Sequence, residues 1–331
     1  MKHIVVMSDL KAADIRPPAL LSRFRQVSIA ESEIFFSHSR LVEVDCPACQ
    51  SPDKVEAFRK NGFTYAQCAA CESVYVSPRP SEQDLTNYYE NSQAGKYRDF
   101  LSHETADARR LHVLRSRMAW VGRIFDETGN SAANTYADIG TAHPFILDEV
   151  RRLSLFDQLY SVNPSFVVDG ESDAREVTPD DAPLQSLGAV TAFEQLEHQF
   201  SPRDFLNTVH DMLIEGGILY LTTRTISGFD LQVLWDQTPY IFVPEHLNLL
   251  SVEGITALLE SAGFHLLELS TPGQLDVELV QRAVAEDPTI ELPRFVKYVL
   301  EHRGAETHGD FQSFLQKNRL SSHVRIAAQK G

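Results

Sequence analysis

Four cysteines in two matched pairs are the feature that most constrains this chain. They read Cys46-Pro-Ala-Cys49 and Cys68-Ala-Ala-Cys71, with eighteen residues between the pairs, and the chain has no other cysteine. Two C-x2-C turns can direct four thiolates at one tetrahedral Zn²⁺, and four sulfur ligands leave no open position for a catalytic water. A redox dithiol would use a single pair beside a helix start. The spacing therefore predicts a structural zinc site.

The charge balance narrows the classes of partner. The 331 residues contain 30 Lys and Arg against 46 Asp and Glu, a net charge of −16. Nonspecific binding to nucleic acid or to an anionic membrane needs surplus cations, so both are disfavoured. The sequence has no uncharged apolar run of about 18 residues, and Asp9 and Asp14 interrupt the region where a signal-peptide core would lie. We therefore expect a cytoplasmic protein with a small-molecule substrate or a basic protein partner.

Short apolar runs alternate with capped helices in the second half of the chain. The strand candidates are 135–139, 158–162, 188–193, 218–223, 264–269 and 323–328. This alternation predicts an α/β fold: a Rossmann-like, doubly wound, mostly parallel sheet preceded by a small zinc ribbon. The expected domains are an N-terminal extension (1–43), the zinc ribbon (44–80), linking helices (81–130) and the sheet domain (131–331), with a helical pair inserted at 276–320.

Helix boundaries follow from capping residues. Ser201-Pro202-Arg203-Asp204 has the pattern of a helix start, and Gly216-Gly217 is the expected end of that helix. Ser251 is expected to cap another helix, which ends at Gly263. Apolar residues at helical spacing predict one amphipathic helix over 104–125.

The segment Tyr136-Ala-Asp138-Ile-Gly140 ends a predicted strand, where a doubly wound sheet opens its ligand crevice. This segment resembles the first motif of class I S-adenosylmethionine (SAM)-dependent methyltransferases, an acidic residue followed by a glycine-rich loop. Further segments that resemble this class are Phe193-Glu194-Gln-Leu196-Glu197-His198, Gly216-Gly217, Pro244-Glu245-His246 and Leu320-Ser-Ser-His323. The cysteine pairs followed by Val76-Ser-Pro78-Arg79-Pro80 resemble a branch containing sugar C-methyltransferases and surface-polysaccharide methyltransferases. The resemblance covers about residues 44 to 331.

The resemblance implies SAM as cofactor and methyl transfer to a small polar acceptor, such as a nucleotide-linked sugar or a polysaccharide precursor. The residues it assigns to cofactor binding are Asp138, Gly140, Ala142, Asn163, Phe193, Glu194 and Tyr89. Two positions depart from the family: Ala142 replaces a glycine, and Asn163 replaces the acidic residue that holds the ribose hydroxyls. Pro144 also removes a backbone N–H from the loop.

Methyl transfer requires an aligned acceptor and, where that acceptor loses a proton, a base. The resemblance implies this role for His246, with Glu245 beside it and His198 as second choice. We expect the zinc ribbon to cover the crevice. An alternative is a noncatalytic or changed-ligand member whose ribbon docks another protein. Nucleic-acid methylation is disfavoured by the net charge and by the absence of a Lys/Arg cluster around the cysteine pairs.

Overall fold

The computed structural model describes residues 4–6, 9–128, 133–140, 145–162, 175–177 and 185–331. The N-terminal elements are α1 (Ala12–Ile15), α2 (Pro18–Phe36), β1 (Leu41–Val42), β2 (Lys54–Lys60), β3 (Phe63–Cys68), β4 (Val74–Val76) and β5 (Arg79–Pro80). The helices that follow are α3 (Glu82–Asn91), α4 (Gln93–Glu104), α5 (Ala106–Arg109), a π-helical turn (Arg110–Leu114) and α6 (Arg115–Thr128).

The second half supplies the large sheet and its helices. The elements as far as the middle of the sheet are β6 (Thr135–Ile139), α7 (Ile146–Arg151), β7 (Gln158–Val162), β8 (Arg175–Val177), β9 (Leu187–Phe193), α8 (Pro202–Met212) and β10 (Leu213–Arg224). Those that follow are α9 (Phe229–Leu234), β11 (Asn248–Leu249), α10 (Val252–Ser261), β12 (Phe264–Ser270), α11 (Asp276–Glu286), α12 (Arg294–His302), α13 (Ala305–Lys317) and β13 (His323–Lys330).

A sheet of seven described strands forms the centre of the fold, in the order β12-β13-β10-β9-β6-β7-β8. The neighbours from β10 to β8 pair in parallel, whereas β13 is antiparallel to both β10 and β12. This topology confirms the predicted mostly parallel α/β sheet, and all six strand candidates lie in it. The short strand β8 has no counterpart among those candidates, because its three residues carry no periodic signal of their own.

Helix starts are predicted better than helix ends. The Ser201 hydroxyl accepts the Asp204 N–H at 3.3 Å and begins α8 as expected. The helix ends at Met212 rather than at Gly216-Gly217, because Leu213 already pairs with Leu187 in the sheet. The helix expected over 104–125 is interrupted by the π-helical turn. Residues 276–320 contain three helices where a pair is expected.

The cysteine-bearing segment packs directly onto the sheet domain. Strand β4 pairs antiparallel with β11 from the second half of the chain, in a register that matches Tyr75 with Asn248. Cys46, Cys68 and Tyr75 also share a buried cluster with residues of α8, α10 and the central strands. The two parts of the chain therefore form one continuous core. Among the described residues, no helix is long and apolar enough to cross a membrane.

Candidate active site and cysteine cluster

A cavity of about 280 Å³ lies where β9 and β10 end and β13 begins. Glu194, Glu197 and His198 enter it just after β9, Arg224 enters from the end of β10, and His323 enters from the start of β13. The remaining walls come from helices α1, α2, α4, α5, α6 and α11, from the π-helical turn, and from the loops that follow α9 and β12. In open α/β sheets the carboxyl ends of parallel strands are the usual place for a ligand, so this cavity is the candidate active site.

The three catalytic candidates from the sequence, His246, Glu245 and His198, all line this cavity. Glu245 is 2% exposed; its Oε2 accepts a hydrogen bond from Arg98 at 2.9 Å and lies 3.9 Å from His198 Nδ1. Within the described residues, Glu245 Oε1 and His198 Nδ1 are buried with no hydrogen-bond partner. Burial lowers the pKa of His198, which favours a neutral ring able to accept a proton.

His246 has a different arrangement. Its Nδ1 lies 3.1 Å from the Phe242 nitrogen, while the Phe242 carbonyl already accepts the His246 backbone N–H at 2.7 Å. Nδ1 also lies 3.2 Å from the Phe242 carbonyl oxygen, so it accepts the Phe242 N–H in one tautomer and donates to that carbonyl in the other. Burial, followed by the positive charge of Arg224, lowers the pKa of His246 well below its usual value. In either tautomer Nδ1 is held by the Phe242 backbone, which leaves Nε2 as the ring nitrogen for a ligand.

Two carboxyl groups after β9 are held in opposite protonation states. Burial opposes ionisation of Glu194, but Arg117, His323 and Thr222 hold its pKa well below the usual range. Burial and the negative Glu194 raise the pKa of Glu197 to about 8, so Glu197 carries a proton at neutral pH. The Thr223 hydroxyl donates to Glu197 Oε2 at 2.6 Å. The motif after β9 makes Glu197 a candidate, but the burial that shifts its pKa appears only in the structure.

Arginines form a second set of cavity residues that sequence analysis does not find. The lining arginines are Arg16, Arg98, Arg109, Arg117, Arg224 and Arg325. They come from opposite ends of the chain and have no common spacing, so no sequence signal singles them out. Four carboxyl groups share the cavity with them, which leaves an excess of positive charge in a protein of net charge −16.

Most of the cofactor candidates lie beside the cavity rather than in its wall. Asp138 is 1% exposed and its Oδ1 accepts from the Thr191 hydroxyl at 2.6 Å. The Phe193 ring lies 5.0 Å from the Arg117 guanidinium, and the Tyr89 hydroxyl donates to the Pro244 carbonyl at 3.0 Å. Glu194 lines the cavity itself. Two other candidates, Ala142 and Asn163, lie outside the described residues, as does Pro144.

Gly140 has the left-handed conformation, φ +66°, that glycine adopts without strain. The Gln195 side chain donates from Nε2 to the Gly140 carbonyl at 2.9 Å. A Cβ on residue 140 would lie 2.2 Å from Gln195 Oε1. The close approach expected at this glycine is therefore made by a protein side chain in this structure.

The four cysteine sulfurs form one cluster, with all ligand atoms within 4.8 Å of one another. The Cys46–Cys71 and Cys49–Cys68 sulfurs are each 3.5 Å apart. Zn–S bonds of about 2.3 Å in a tetrahedron place sulfurs about 3.8 Å apart, so the arrangement fits a metal site with four thiolate ligands.

The cysteine-bearing segment supports the cavity from behind instead of covering it. The Tyr65 hydroxyl donates to the His246 carbonyl at 2.7 Å, and the Val76 N–H donates to the Leu247 carbonyl at 2.9 Å. None of the described residues from 44 to 80 is among those lining the cavity. The expectation that the ribbon covers the crevice is therefore wrong. The β4 edge of the ribbon pairs with β11.

Comparisons with known proteins bear on the sheet domain. Residues 107–269 match the family model described as a methyltransferase domain. Comparison with curated protein sequences gives no match.

Similar solved structures include a putative sarcosine dimethylglycine methyltransferase from Galdieria sulphuraria, 12% identical, covering 67% of this chain and 88% of that one with a TM-score of 0.43. A SAM-dependent methyltransferase from Mesorhizobium loti is 10% identical, with coverages of 59% and 90% and a TM-score of 0.35. A phosphoethanolamine N-methyltransferase from Haemonchus contortus, solved with S-adenosylhomocysteine, is 15% identical, with coverages of 60% and 49% and a TM-score of 0.37.

Proposed function

We propose that this protein is a SAM-dependent methyltransferase that acts on a small polar acceptor, a nucleotide-linked sugar or a related polysaccharide precursor. The observation that carries the proposal is the position of the cavity. It lies at the ends of β9 and β10, two strands of the region that matches the methyltransferase-domain model. Within the described residues, Glu245 Oε1 and His198 Nδ1 beside it are buried without a hydrogen-bond partner. Buried polar atoms without partners are rare in folded proteins, and a bound ligand is one way to supply the partner.

The residues near the ends of β6 and β9 are compatible with SAM. Gly140 keeps the chain free of a side chain at the strand end, and its close neighbour is the flexible end of Gln195 rather than backbone. Gly140, Phe193 and Glu194 would contact the cofactor, with Asp138 ordering the strand end through Thr191. SAM supplies a methyl group on a sulfonium, an electrophile that needs no further activation by the protein.

The cavity residues would orient the acceptor and take its proton. His198 is the preferred base, because its neutral ring has a buried Nδ1 with no described partner and faces Glu245. Glu245, paired with Arg98, would stabilise the imidazolium that forms. His246 would contact the acceptor through Nε2. This order of the two imidazoles reverses the one implied by the sequence resemblance.

We propose a structural role for zinc in the same protein. A site with four thiolate ligands would fix the turn before β2 and the turn between β3 and β4. Strands β3 and β4 hold the loop of Glu245 and His246 through Tyr65 and Val76. The metal would thus stabilise the back wall of the active site without touching the acceptor.

A noncatalytic protein remains the second candidate function, and one observation favours it. The Gln195 side chain fills the space against Gly140 where a cofactor would approach. In that case the cavity would bind a ligand without methyl transfer.

An assay with methyl-labelled SAM distinguishes the methyltransferase from the noncatalytic protein. The protein is incubated with labelled SAM and a set of nucleotide-linked sugars, and label in the sugar fraction is measured by mass spectrometry. We expect transfer by the wild type and a loss of about 100-fold or more in Glu245→Gln, because the pairing of Glu245 with His198 is disrupted. SAM binding without label transfer to any sugar would show that the acceptor class is wrong. Absence of SAM binding would favour the noncatalytic candidate.

A further inference from the structure

Arg16 lies in the N-terminal extension, far in sequence from the matched region 107–269, and its side chain lines the cavity. Helix α1 is held in place on two sides. The Ala12 N–H donates to the Glu278 carboxylate at 3.0 Å, and the Arg109 guanidinium donates to the Ile15 carbonyl at 3.0 Å. Arg16 follows directly after Ile15, so the contact with Arg109 brings the two arginines to the same wall of the cavity.

Arg224 reaches the same wall from the end of β10. Its Nη1 donates to the Tyr240 carbonyl at 3.2 Å, while the Arg16 guanidinium lies 5.9 Å from the centre of the Tyr240 ring. Three arginines, from the end of α1, from α5 and from β10, therefore line one part of the cavity. Arginines from three separate elements that line the same cavity are typical of a binding site rather than of a solvent-exposed surface.

The three arginines, of which Arg224 is buried and Arg16 and Arg109 are half-buried, have few anionic partners. In the part of the chain that the structure describes, no carboxylate lies within ion-pair distance of Arg16 or Arg109; Arg109 donates to neutral oxygens of Thr105 and Ile15. Arg224 pairs with Asp230 at 2.9 Å, but its Nε is buried without a described partner. Charges removed from water are costly unless they are paired, and the three cations share one described ion-pair partner, Asp230, so a bound anion would complete their pairing.

The electrostatic effect of this crowding is visible on Arg16. Burial, followed by the positive charges of Arg224 and Arg109, lowers its pKa to about 10 against the opposing effect of Asp230. Burial also lowers the pKa of Arg109. A bound anion would relieve both the repulsion and the missing hydrogen bonds.

We propose that Arg16, Arg109 and Arg224 form a subsite for a phosphoryl group of the acceptor. The guanidinium fork matches the oxygens of a phosphoryl group, and a doubly charged group offsets the surplus of positive charge better than a single carboxylate does. The description of this ligand as an acceptor rests on the proposed function, whereas anion binding by the three arginines does not. The N-terminal extension thus supplies a specificity residue that the methyltransferase-domain match does not contain.

Pyrophosphate is the probe for this subsite. The full chain is titrated with pyrophosphate in a phosphate-free buffer by isothermal calorimetry and thermal shift. We expect saturable binding by the wild type, weakened roughly 10- to 100-fold in Arg16→Gln through loss of charged hydrogen bonds. Arg40→Gln is the matched control, because Arg40 is an exposed arginine of the same extension, and it should bind like the wild type. No wild-type binding at millimolar pyrophosphate, or equal binding by Arg16→Gln, overturns the proposal.

The thermal stability of Arg16 variants distinguishes a ligand-binding role of Arg16 from a structural role. Without anion, Arg16→Gln should be at least as stable as the wild type, because it removes a half-buried cation that Arg224 and Arg109 repel. A marked loss of stability would mean that Arg16 holds the fold, and would overturn the proposal. Arg16→Lys keeps the charge but lacks the fork, so it should retain folding and bind pyrophosphate more weakly than the wild type.

A further experiment asks whether the three arginines bind the acceptor or SAM, since SAM carries a carboxylate that could occupy the same subsite. Pyrophosphate and SAM should bind together, with Arg16→Gln leaving SAM affinity unchanged. Mutual competition, with equal weakening of both ligands in Arg16→Gln, would assign the arginines to SAM and overturn the phosphoryl subsite. Pyrophosphate binding without any SAM binding would retain the subsite and contradict the proposed function instead.

Discussion

The cysteine cluster and the charged cavity are two sites built in opposite ways. All four sulfurs come from one short stretch between Cys46 and Cys71, and two local turns bring them within 4.8 Å of one another. The cavity takes its charged groups from Arg16 to Arg325, and only the packing of α1, α5, the central strands and β13 brings them together. A site set by local spacing can be predicted from sequence, whereas a site assembled by tertiary packing cannot.

Substitutions in the two sites are also expected to have different effects. Loss of a metal ligand removes folding free energy from the segment that supports β11 and the loop of Glu245. Loss of a cavity residue removes a group that faces a ligand, so the fold should persist while binding or turnover changes. The predictions below test this difference, beginning with the largest effect.

Removal of a cysteine ligand should have the largest effect. We expect about one zinc ion per wild-type chain, and misfolding or aggregation of Cys46→Ser and Cys68→Ser, because the other three ligands cannot fix both turns. Zinc content by plasma emission spectrometry and soluble yield are the measurements. Glu72→Gln is the control, since Glu72 is exposed beside Cys71 and should keep its zinc. Equal stability of the wild type with and without metal would contradict the structural role.

Replacement of the candidate base should reduce turnover while leaving the fold unchanged. His198→Ala should lower kcat by roughly 100-fold or more with SAM affinity unchanged, in the range expected for general-base catalysis. His246→Ala should have a smaller effect on kcat, because its Nδ1 is already held by the Phe242 backbone. Turnover and SAM binding of both variants are compared in parallel. A larger kcat loss in His246→Ala would restore the order that the sequence resemblance implies.

The structural elements show why sequence prediction succeeds in some places. Strands such as Thr135–Ile139 and Gln158–Val162 are predictable because short apolar runs are a local signal, and Ser201 and Ser251 mark helix starts through their own side chains. The end of α8 at Met212 is not predictable in this way, because it depends on the pairing of Leu213 with Leu187 across the sheet.

The candidate site is predictable only where it follows a strand. His198, Glu245 and His246 follow recognisable motifs and meet in one cavity. Arg109 and Arg224 have no motif, and their importance appears only from burial and from the partners around them. The protonated states of buried groups likewise depend on neighbours that the sequence does not reveal.

Substitution of Gly140 tests whether the close contact with Gln195 at the end of β6 restricts residue 140 to glycine. We expect a moderate effect on stability. Gly140→Ala should lower the free energy of unfolding by about 1–2 kcal/mol for the left-handed backbone alone, plus a further amount for the contact with Gln195. Gly62→Ala measures the backbone part, because Gly62 has φ +83° and open space around its Cβ position. Urea unfolding of the single variants and of Gly140→Ala with Gln195→Ala provides the comparison. If adding Gln195→Ala to Gly140→Ala restores none of the stability lost beyond the Gly62→Ala value, the contact between residue 140 and Gln195 does not contribute to that loss.

The pH dependence of stability should report Glu197 as the last and most subtle test. Its pKa of about 8 in the folded protein lies above the ordinary value of 4.5, so between these values the folded chain holds a proton that the unfolded chain has released. The stabilisation from this proton is full at low pH and is lost as the pH rises through about 8. The stability of the wild type relative to Glu197→Gln should therefore fall from about pH 6 to about pH 8. A constant difference over that range would place the pKa of Glu197 near its ordinary value.

Direct titration with SAM tests the central claim, that the methyltransferase-like sheet still binds its cofactor beside the charged cavity. Isothermal calorimetry of the zinc-loaded full chain should show one SAM site per chain with a dissociation constant in the micromolar range, about −8 kcal/mol. The absence of any binding at millimolar SAM would contradict the account and leave the cavity as the binding site of a noncatalytic protein.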